Sequence, residues 1–319
     1  MGDASRHDRY GLIAAMPASP ARFQRIALVG RYATPGMAEP LAQLAQFLAD
    51  RGHDVVVEAE TARQSALQRF PSASPEALGT NADLAIVLGG DGTMLSIARH
   101  LAPLDVPLIG INQGRLGFLT DVPLSDMERT LASMLAGRYV EERRTLLDAS
   151  VARNGGAAER ALALNDVAIN RGSLGTMIEC AVDIDGRFAF AMRADGMIVA
   201  TPTGSTAYAL SAGGPILAPN VPAFALVPVA PHALTHRPIL VADTATIRIG
   251  VLRGRDASAH CDGQSRFPLA EGEGVTITRA PHAARFLHPE GHDYFAMLRE
   301  KLHWSETPER LRGKAAPAA

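Results

Sequence analysis

The sequence predicts two domains, an α/β domain with a parallel sheet followed by an all-β domain. The chain has 319 residues, which is comfortable for two domains. Apolar strand segments alternate with helical segments over residues 26–111, a pattern typical of a parallel sheet with both faces covered. From about residue 138 to 281, short segments alternate apolar and polar residues between turn residues, which predicts antiparallel strands.

The first domain rests on six segments. Residues 26–30 and 84–88 are uninterrupted apolar runs, which predict buried strands. Residues 37–51 carry leucines at helical spacing and are followed by Gly52, a common helix stop. Ligands of such sheets bind at the carboxyl ends of the strands. The predicted order is strand 26–30, helix 37–51, strand 55–57, strand 84–88, helix 93–101 and strand 106–111.

The second domain follows a predicted helix. Ser125 and Glu128 have the spacing of a capping box, which predicts a helix from there to about Leu135. Period-two strands follow at 181–185, 245–249 and 275–278, and residues 293–302 are again helical and expected to pack back on the first domain. We expect a disordered tail 1–24, an α/β domain 25–121 joined by the segment 285–305, a linker helix and β domain 122–284, and a disordered tail 306–319. A translation start at Met16 is an open alternative.

Composition excludes several classes of protein. Thirty-one basic and 33 acidic residues give a net charge of −2, which argues against a nucleic-acid or anionic-membrane coat. No apolar run approaches the roughly 20 residues that span a bilayer. The two lysines, Lys301 and Lys314, lie near the C-terminus, so mechanisms that need a lysine in the first 300 residues are excluded. Two cysteines, Cys180 and Cys261, are typical of a cytosolic protein.

A glycine-rich loop lies between the predicted strand 84–88 and the helix after it. The amides of such a loop, together with the helix N-terminus, favour a bound phosphate. Asp91 in its middle would repel phosphate unless a divalent cation intervenes or the carboxylate accepts a proton from an attacking hydroxyl. The alternative is a turn whose glycines need positive φ. The predicted phosphate loop comprises Gly89, Gly90, Gly92 and Thr93.

A second loop rich in small hydroxyl residues follows a predicted strand at 197–200. Thr203, Ser205 and Thr206 are candidates for hydrogen bonds to ribose or phosphate oxygens, and Tyr208 for packing on a base. The alternative is an ordinary polar loop with a helix N-cap at Ser205. Four hydroxyl residues among positions 201–206 favour a ligand.

Other signals are weak on their own. Asn165–Asp166 at the start of a strand, and Gln264 after a Cys-Asp-Gly turn, are typical of ordinary turns. Two histidine pairs have the spacing of zinc ligands on a helix, His232/His236 and His288/His292. Proline or glycine residues interrupt or bracket both pairs, which disfavours a zinc site. The chain has no hydrolase, dinucleotide-glycine or phosphate-loop-lysine motif.

Taken together, the segments resemble the NAD kinase family. The resemblance covers roughly residues 25–300. The Gly-Gly-Asp-Gly loop alone is shared with lipid kinases and phosphofructokinase. The Thr-Pro-Thr-Gly-Ser-Thr-Ala-Tyr run, together with Asn-Asp, is far more specific to this family. The sequence as a whole is similar to the proteobacterial branch. The residues that carry it are 89–93, 110–112, 116–118, 164–166, Arg193, 195–196, 201–208, 211–216, 231–232 and 237–238.

The resemblance implies transfer of the γ-phosphate of ATP to the 2′-hydroxyl of the adenosine ribose of NAD, yielding NADP and ADP. It also implies a Rossmann-like α/β domain and a C-terminal β-sandwich, with the active site in the crevice between them. The cofactor would be Mg²⁺ or another divalent cation that is brought with ATP and is not held in a cage of protein ligands. The resemblance further implies a homodimer or homotetramer. Donor range, use of NADH and feedback stay open.

The resemblance also assigns roles to residues. Asp91 is the catalytic residue, as general base or as organiser of Mg²⁺ and the hydroxyl. Asn165 would bind adenine and Asp166 the adenosine ribose, although many relatives have Glu at the latter position. Arg193 and Asp195 would hold the nicotinamide half. The dinucleotide contacts would be completed by Gly92, Thr176, Thr206, Ala207, Tyr208, Ala209, Leu210, Ser211 and Gln264.

Two alternatives remain. One is a lipid or sugar kinase with the same glycine loop, which the dinucleotide residues and the lack of an apolar docking segment disfavour. The other is a sensor that binds NAD(P) without catalysis, which the presence of Asp91 disfavours because a binder has little use for a carboxylate beside phosphate.

Overall fold

The structure is a computed structural model that describes residues 23–30, 36–114, 117–153, 157–172 and 176–304. Most of the two expected tails, as well as Leu116 and the turn at 154–156, lie outside these residues. Phe23 and Gln24, expected in the N-terminal tail, are part of the fold instead. Phe23 is buried and its carbonyl is 2.7 Å from His53 Nδ1, while the Gln24 N–H donates to Asp83.

The N-terminal half has the predicted alternation of strands and helices. Its strands pair in parallel in the order β5-β4-β1-β2-β3, so the prediction of a parallel sheet is confirmed. A short strand, β6, adds to β5 in the same direction. The elements are β1 (Arg25–Gly30), α1 (Ala38–Ala49), β2 (Asp54–Glu58), α2 (Ala59–Gln64), β3 (Ser72–Ala73), α3 (Pro75–Leu78), β4 (Leu84–Leu88), α4 (Asp91–Leu101), β5 (Leu108–Asn112), β6 (Val122–Pro123) and α5 (Met127–Leu135).

The C-terminal half is largely antiparallel, as predicted. Its second sheet has the order β14-β13-β12-β9-β16-β17 and packs against the large sheet through an apolar core. No described helix has the length and apolarity to cross a membrane. The elements are β7 (Tyr139–Val151), β8 (Glu159–Ala163), β9 (Asp166–Asn170), β10 (Ile178–Ile184), β11 (Arg187–Ala194), β12 (Gly196–Ala200), α6 (Tyr208–Ser211), β13 (Ala223–Val229), β14 (Ile239–Ala242), β15 (Ile247–Arg253), β16 (Ala257–Cys261), β17 (Ser265–Leu269), β18 (Gly274–Pro289) and α7 (Tyr294–Lys301).

One strand belongs to both halves. β18 is 16 residues long and pairs with β15 through its first four residues, 274–277. Further along, Phe286 pairs in parallel with Leu108 of β5, in the N-terminal sheet. β7 follows β18 along most of this length. The large sheet is therefore continuous from the N-terminal half into the C-terminal half.

The predicted capping box is wrong. A 3-10 turn at Leu124–Asp126 precedes α5, so Ser125 lies inside the turn and not at the helix N-cap. Asp126 occupies the N-cap and its side chain makes no hydrogen bond to the helix backbone; it pairs with Arg129 at 2.8 Å. The helix itself is present and ends at the predicted Leu135, and its apolar residues Leu131 and Met134 pack on the core.

Candidate active site

The glycine-rich loop lies at the predicted strand-to-helix junction. β4 ends at Leu88, and α4 begins at Asp91 with Gly90 as its N-cap. Gly90 has φ −114°, and the positive-φ residues of the described chain do not include Gly89, Gly90 or Gly92. The turn alternative is therefore excluded. A Cβ built at Gly90 or Gly92 would meet no atom within 4 Å, so these amides border open space at a helix N-terminus.

The Asp91 carboxylate holds a neighbouring loop in place. It accepts hydrogen bonds from the Phe118 N–H at 2.9 Å, the Leu119 N–H at 3.0 Å and the Thr120 hydroxyl at 3.3 Å. Gly117 passes so close that a Cβ there would collide with the Asp91 carboxylate. A charged side chain from α4 thus fixes residues 117–120, which follow β5.

A cavity of about 500 Å³ opens beside the glycine loop. It is bounded by the end of β1, by α4 and, from the C-terminal half, by the side chain of Gln264. Its position at the carboxyl ends of parallel strands is the usual ligand position in such sheets. The lining residues are Val29, Gly30, Glu58, Glu60, Pro75, Gly90, Gly92, Thr93, Ser96, Ile97 and Gln264.

Gln264 and Arg99 join the two halves at this cavity. Gln264 Nε2 donates to the carbonyl of Gly92 at 3.1 Å, and its Oε1 accepts from Arg99 of α4. The Arg99 Nε lies 3.6 Å from the carboxylate of Asp262. Sequence reasoning found Gln264 by resemblance but missed Arg99 and Asp262, because a basic residue on a helix and an Asp-Gly turn are ordinary surface features.

Asp262 organises the Asn165–Asp166 segment. Its carboxylate accepts the backbone N–H groups of Leu164, Asn165 and Asp166 at 2.8, 2.8 and 3.1 Å. Burial raises the pKa of Asp262, although these three hydrogen bonds and Arg99 oppose it. Burial and the nearby Asp262 raise the pKa of Asp166 to about 7. The two acids therefore lie in a buried pair, where Asp166 is protonated more readily than an ordinary aspartate.

The hydroxyl-rich loop is built mainly from its own hydrogen bonds. Thr201 donates to the Leu164 carbonyl at 2.6 Å, and Ser205 donates to the Pro202 carbonyl at 2.6 Å while accepting from the Leu217 N–H at 2.9 Å. Ser205 is fully buried, so the expectations that it binds ligand oxygens or caps a helix are both wrong. Its hydroxyl closes the loop. Thr206 is only partly buried, and its hydroxyl donates to the Thr203 carbonyl at 3.2 Å.

The remaining dinucleotide candidates lie on α6. Tyr208, the first helical residue, is 41% exposed, which leaves its ring accessible for stacking. Ser211 is also exposed, but Ala209 is fully buried in a small apolar cluster and presents no side chain to a ligand. Ala207 precedes the helix as its N-cap, and Leu210 is partly buried.

Arg193 and Asp195 lie at the other end of β12 from the hydroxyl loop. At about 3.3 Å per residue, Asp195 is about 20 Å from Thr201 along the strand. Asp195 pairs with Arg171 at 2.6 Å, and Arg193 is exposed beside His232 in a smaller cavity. The structure therefore separates these two residues from the hydroxyl loop by the length of β12. Thr176 is exposed just before β10.

A buried charged cluster lies behind the Asp91 loop. Asp121 Oδ2 is 2.9 Å from the Nδ1 atoms of both His288 and His292, whose rings stack with centroids 3.9 Å apart. The three ligand atoms lie within 4.8 Å of one another, a spacing that can hold a metal ion. The Pro and Gly residues that interrupt the histidine pair form a turn that brings both rings to one carboxylate, although the segment is not helical.

A lysine lies beside the loop that binds Asp91. Lys301 of α7 lies with its Nζ 5.7 Å from the ring centroid of Phe118, whose N–H binds Asp91. The sequence excluded lysine chemistry from the first 300 residues only, and the fold returns the C-terminal helix to the Asp91 loop.

Comparisons with known proteins agree with this geometry. The profile of the ATP-NAD kinase N-terminal domain matches residues 26–139, and that of the C-terminal domain matches residues 164–289. The NAD kinase of Aromatoleum aromaticum is 54% identical over 92% of this chain and 98% of its own length. The NAD kinase of Burkholderia pseudomallei is 52% identical over 90% of this chain and 96% of its own.

Two solved structures have the same fold. A yeast NADH kinase complexed with NADH superimposes with a TM-score of 0.82 at 24% identity, over 90% of this chain and 89% of its own. An NAD kinase from Archaeoglobus fulgidus in complex with ATP superimposes with a TM-score of 0.70 at 30% identity, over 88% of this chain and 99% of its own. With both domain profiles matched and half of the residues identical to curated relatives, the chain belongs to the ATP-NAD kinase family.

Proposed function

We propose that this chain carries out the NAD kinase reaction at the glycine-loop cavity, transferring the γ-phosphate of ATP to the 2′-hydroxyl of the adenosine ribose of NAD. The observation that supports this location is the cavity of about 500 Å³, which has open loop amides on one side and Gln264 on the other. Glycine-loop amides at a helix N-terminus are suited to phosphate, and the Asn165–Asp166 segment is linked to the same cavity through Asp262, Arg99 and Gln264.

Asp91 is the proposed catalytic residue. Phosphoryl transfer has a loose transition state and depends on orientation of the attacking hydroxyl more than on early removal of its proton. The three donors from residues 118–120 hold the Asp91 carboxylate in one place, so it is suited to orient the 2′-hydroxyl and to accept its proton as the bond to phosphorus forms.

The other candidate residues divide into two groups. Asn165, Asp166, Thr206, Ala207, Tyr208 and Ser211 would bind the adenosine half, with Tyr208 stacking on the base. Arg193 and Asp195, at the far end of β12, would hold the nicotinamide half. Ala209 and Leu210 would take part through their backbone, because Ala209 is fully buried.

The reaction implies a divalent cation. The donors beside the glycine loop are carboxylate oxygens, which suit Mg²⁺. Glu58 and Glu60 line the cavity and Asp91 begins the helix beside it. All three carboxylates already accept hydrogen bonds from the protein, so a bound ion would share their oxygens with these partners. When bound with ATP, the cation offsets the negative charge of the phosphates.

Self-association through the C-terminal half is a further part of the proposal. Leu234, Phe188 and Leu240 are 86%, 67% and 52% exposed, and the last two lie on the edge strands β11 and β14. Large apolar side chains on open strand edges are typical of contact surfaces. Light scattering on the purified protein would distinguish a monomer from the proposed dimer or tetramer.

The free thiols of Cys180 and Cys261 support a cytosolic location.

The test mixes the protein with ATP, Mg²⁺ and NAD and detects NADP with an NADP-specific dehydrogenase. We expect NADP that is absent after chelation of the cation. The variant that tests the location of the site is Gly92→Ala, because a Cβ there would meet no protein atom but would occupy the surface of the loop. NAD binding without NADP formation would instead support a sensor, and no NAD binding would redirect the search to lipid and sugar hydroxyls.

A further inference from the structure

A chain of polar contacts, buried at His288 and Arg144, leads from the Asp91 loop to the hydroxyl loop. Asp121 directly follows residues 118–120, which bind Asp91. Its carboxylate accepts from His288 Nδ1 at 2.9 Å, and His288 Nε2 is 3.1 Å from Glu142 Oε2. The same Glu142 oxygen lies 2.7 Å from Arg144 Nη2.

The chain ends in the candidate dinucleotide loop. Arg144 Nη1 donates to the Thr203 hydroxyl at 3.4 Å, and Thr203 is the first residue of the 3-10 turn Thr203–Thr206. His288 and Arg144 are 1% and 2% exposed, whereas Glu142 is only partly buried, so the network is shielded from water at its two cations and borders solvent at Glu142. β18 supplies His288 and β7 supplies Glu142 and Arg144, on the strand pair common to both halves.

The contacts fix the charge of His288. Both ring nitrogens face carboxylates, and an ionised carboxylate can only accept hydrogen bonds. Both nitrogens must therefore carry hydrogen, which makes His288 an imidazolium between Asp121 and Glu142. An imidazolium has no lone pair for a metal, so the hydrogen-bonded arrangement favours a charge network over an ion at Asp121, His288 and His292.

The surrounding groups agree with this charge. Burial lowers the pKa of His288, but the hydrogen bonds to Asp121 and Glu142 outweigh burial and the pKa is raised. Burial works against the ionised form of Asp121, yet the hydrogen bonds from His288 and His292 hold its pKa at about 2. Another titratable group near the network is Tyr294, and burial raises the pKa of its hydroxyl.

We propose that Asp121, His288, Glu142 and Arg144 form a positioning network that sets the Asp91 loop against the hydroxyl loop, with His288 as its essential cation. The proposal deepens the proposed function, on which it rests. None of the four residues needs to touch a substrate. The network acts by holding the catalytic carboxylate and the dinucleotide loop in one register across the crevice.

A double-mutant cycle tests the coupling. His288→Gln breaks the middle of the network, and Thr203→Val removes its last link while keeping the side-chain shape. His288 and Thr203 do not touch, so independent sites would show multiplicative losses in kcat. We expect each single variant to lower kcat at saturating substrates. The kcat of the double variant should be at least about threefold higher than the value calculated by multiplying the two single-variant effects.

Arg285→Gln is the matched control. Arg285 lies on the same strand, three residues before His288, and pairs with Glu141 of β7 and with Asp105, away from the site. A cycle of Arg285→Gln with Thr203→Val should give multiplicative effects. If His288→Gln does not fold, Glu142→Gln takes its place in the cycle. Multiplicative losses in the test cycle would overturn the proposal.

A second readout separates positioning from mere stability. The pKa of His288 is raised, so this side chain loses its proton only at a pH above the ordinary pKa of histidine. The kcat of the wild type should fall as the pH rises through that region. The Arg285→Gln variant should show the same fall. His288→Gln should lack it. Imidazole NMR reports the charge of His288 directly, and a neutral ring at pH 6.5 would overturn the proposal. If the wild type forms no NADP, the proposed function fails, while NMR and the same cycle measured in the Kd for NAD still test the network.

Discussion

The carboxylate of Asp262 accepts the backbone N–H of Asp166 at 3.1 Å, so two buried acidic residues lie side by side at the edge of the proposed site. Burial, together with the like charge of Asp262, disfavours the ionisation of Asp166 and raises its pKa. This contact gives the site a pH dependence of its own.

Asp166→Asn should remove part of the pH dependence of stability. The native carboxyl keeps its proton up to about pH 7, whereas the unfolded one releases it near pH 4. The folded state therefore binds more protons between these values, and its stability falls as the pH rises through them. The free energy of unfolding by urea, measured from pH 4 to 8, should decline less in Asp166→Asn. Asp54→Asn, at the exposed start of β2, should follow the wild type.

Gly117→Ala should damage both activity and stability. The added methyl group would collide with the Asp91 carboxylate and the Thr120 hydroxyl, and the loop would have to move. We expect a loss of about 1–3 kcal/mol in the free energy of unfolding and a kcat at least about tenfold lower. Gly114→Ala is the control from the same connection, because its methyl group meets no atom within 4 Å. Equal activity in the two variants would contradict the proposed importance of Asp91 placement.

Gly92→Ala should raise the KM for ATP without lowering the stability of the fold. No described atom opposes a methyl group there, so thermal unfolding should stay close to that of the wild type. The methyl group would occupy space that the proposed function gives to phosphate, so the KM for ATP should rise at least about tenfold, as expected for a lost anion contact of 1.4 kcal/mol or more. An unchanged KM would place the phosphates elsewhere.

Ser205→Ala should lower stability more than it lowers NAD affinity. The buried hydroxyl links the Pro202 carbonyl to the Leu217 N–H, and its removal leaves both without that partner. We expect about 1–3 kcal/mol less stability in urea unfolding. Thr206→Val is the control, because that hydroxyl is only partly buried and makes a single hydrogen bond to the Thr203 carbonyl. A Ser205→Ala protein of normal stability that fails to bind NAD would restore Ser205 as a ligand contact.

Both cysteines should be inert in the native state. Burial raises the pKa of Cys180 to about 11 and that of Cys261 to about 12, so neither forms thiolate near pH 8. Ellman's reagent should therefore label neither thiol before denaturation and both after it. Rapid labelling of native protein would mean that the β core opens around these residues.

The sequence predicted the elements whose signals are local. β4 is found at the predicted residues 84–88 because a fully buried strand must be apolar throughout, and its junction with α4 followed from glycine chemistry. Ser205 was misassigned because a hydroxyl's partners are tertiary: whether it faces a ligand or the Leu217 backbone depends on packing across the loop.

The network was invisible for a related reason. Asp121, Glu142 and His288 are separated by up to 167 residues, and no spacing rule joins them. The spacing of His288 and His292 places two rings together on a helix, but in the structure a turn and not a helix brings them together. Lys301 was likewise set aside by its position near the C-terminus, although α7 returns it to Phe118.

The shared strand β18 has a mechanical consequence. Backbone hydrogen bonds tie it to β15 at one end and to β5 at the other, so a hinge between the halves would have to bend a continuous ladder. Rotation of one half as a rigid body against the other is therefore opposed by the sheet. The same ladder makes the halves interdependent in folding, so heating should melt them in a single calorimetric transition and not in two.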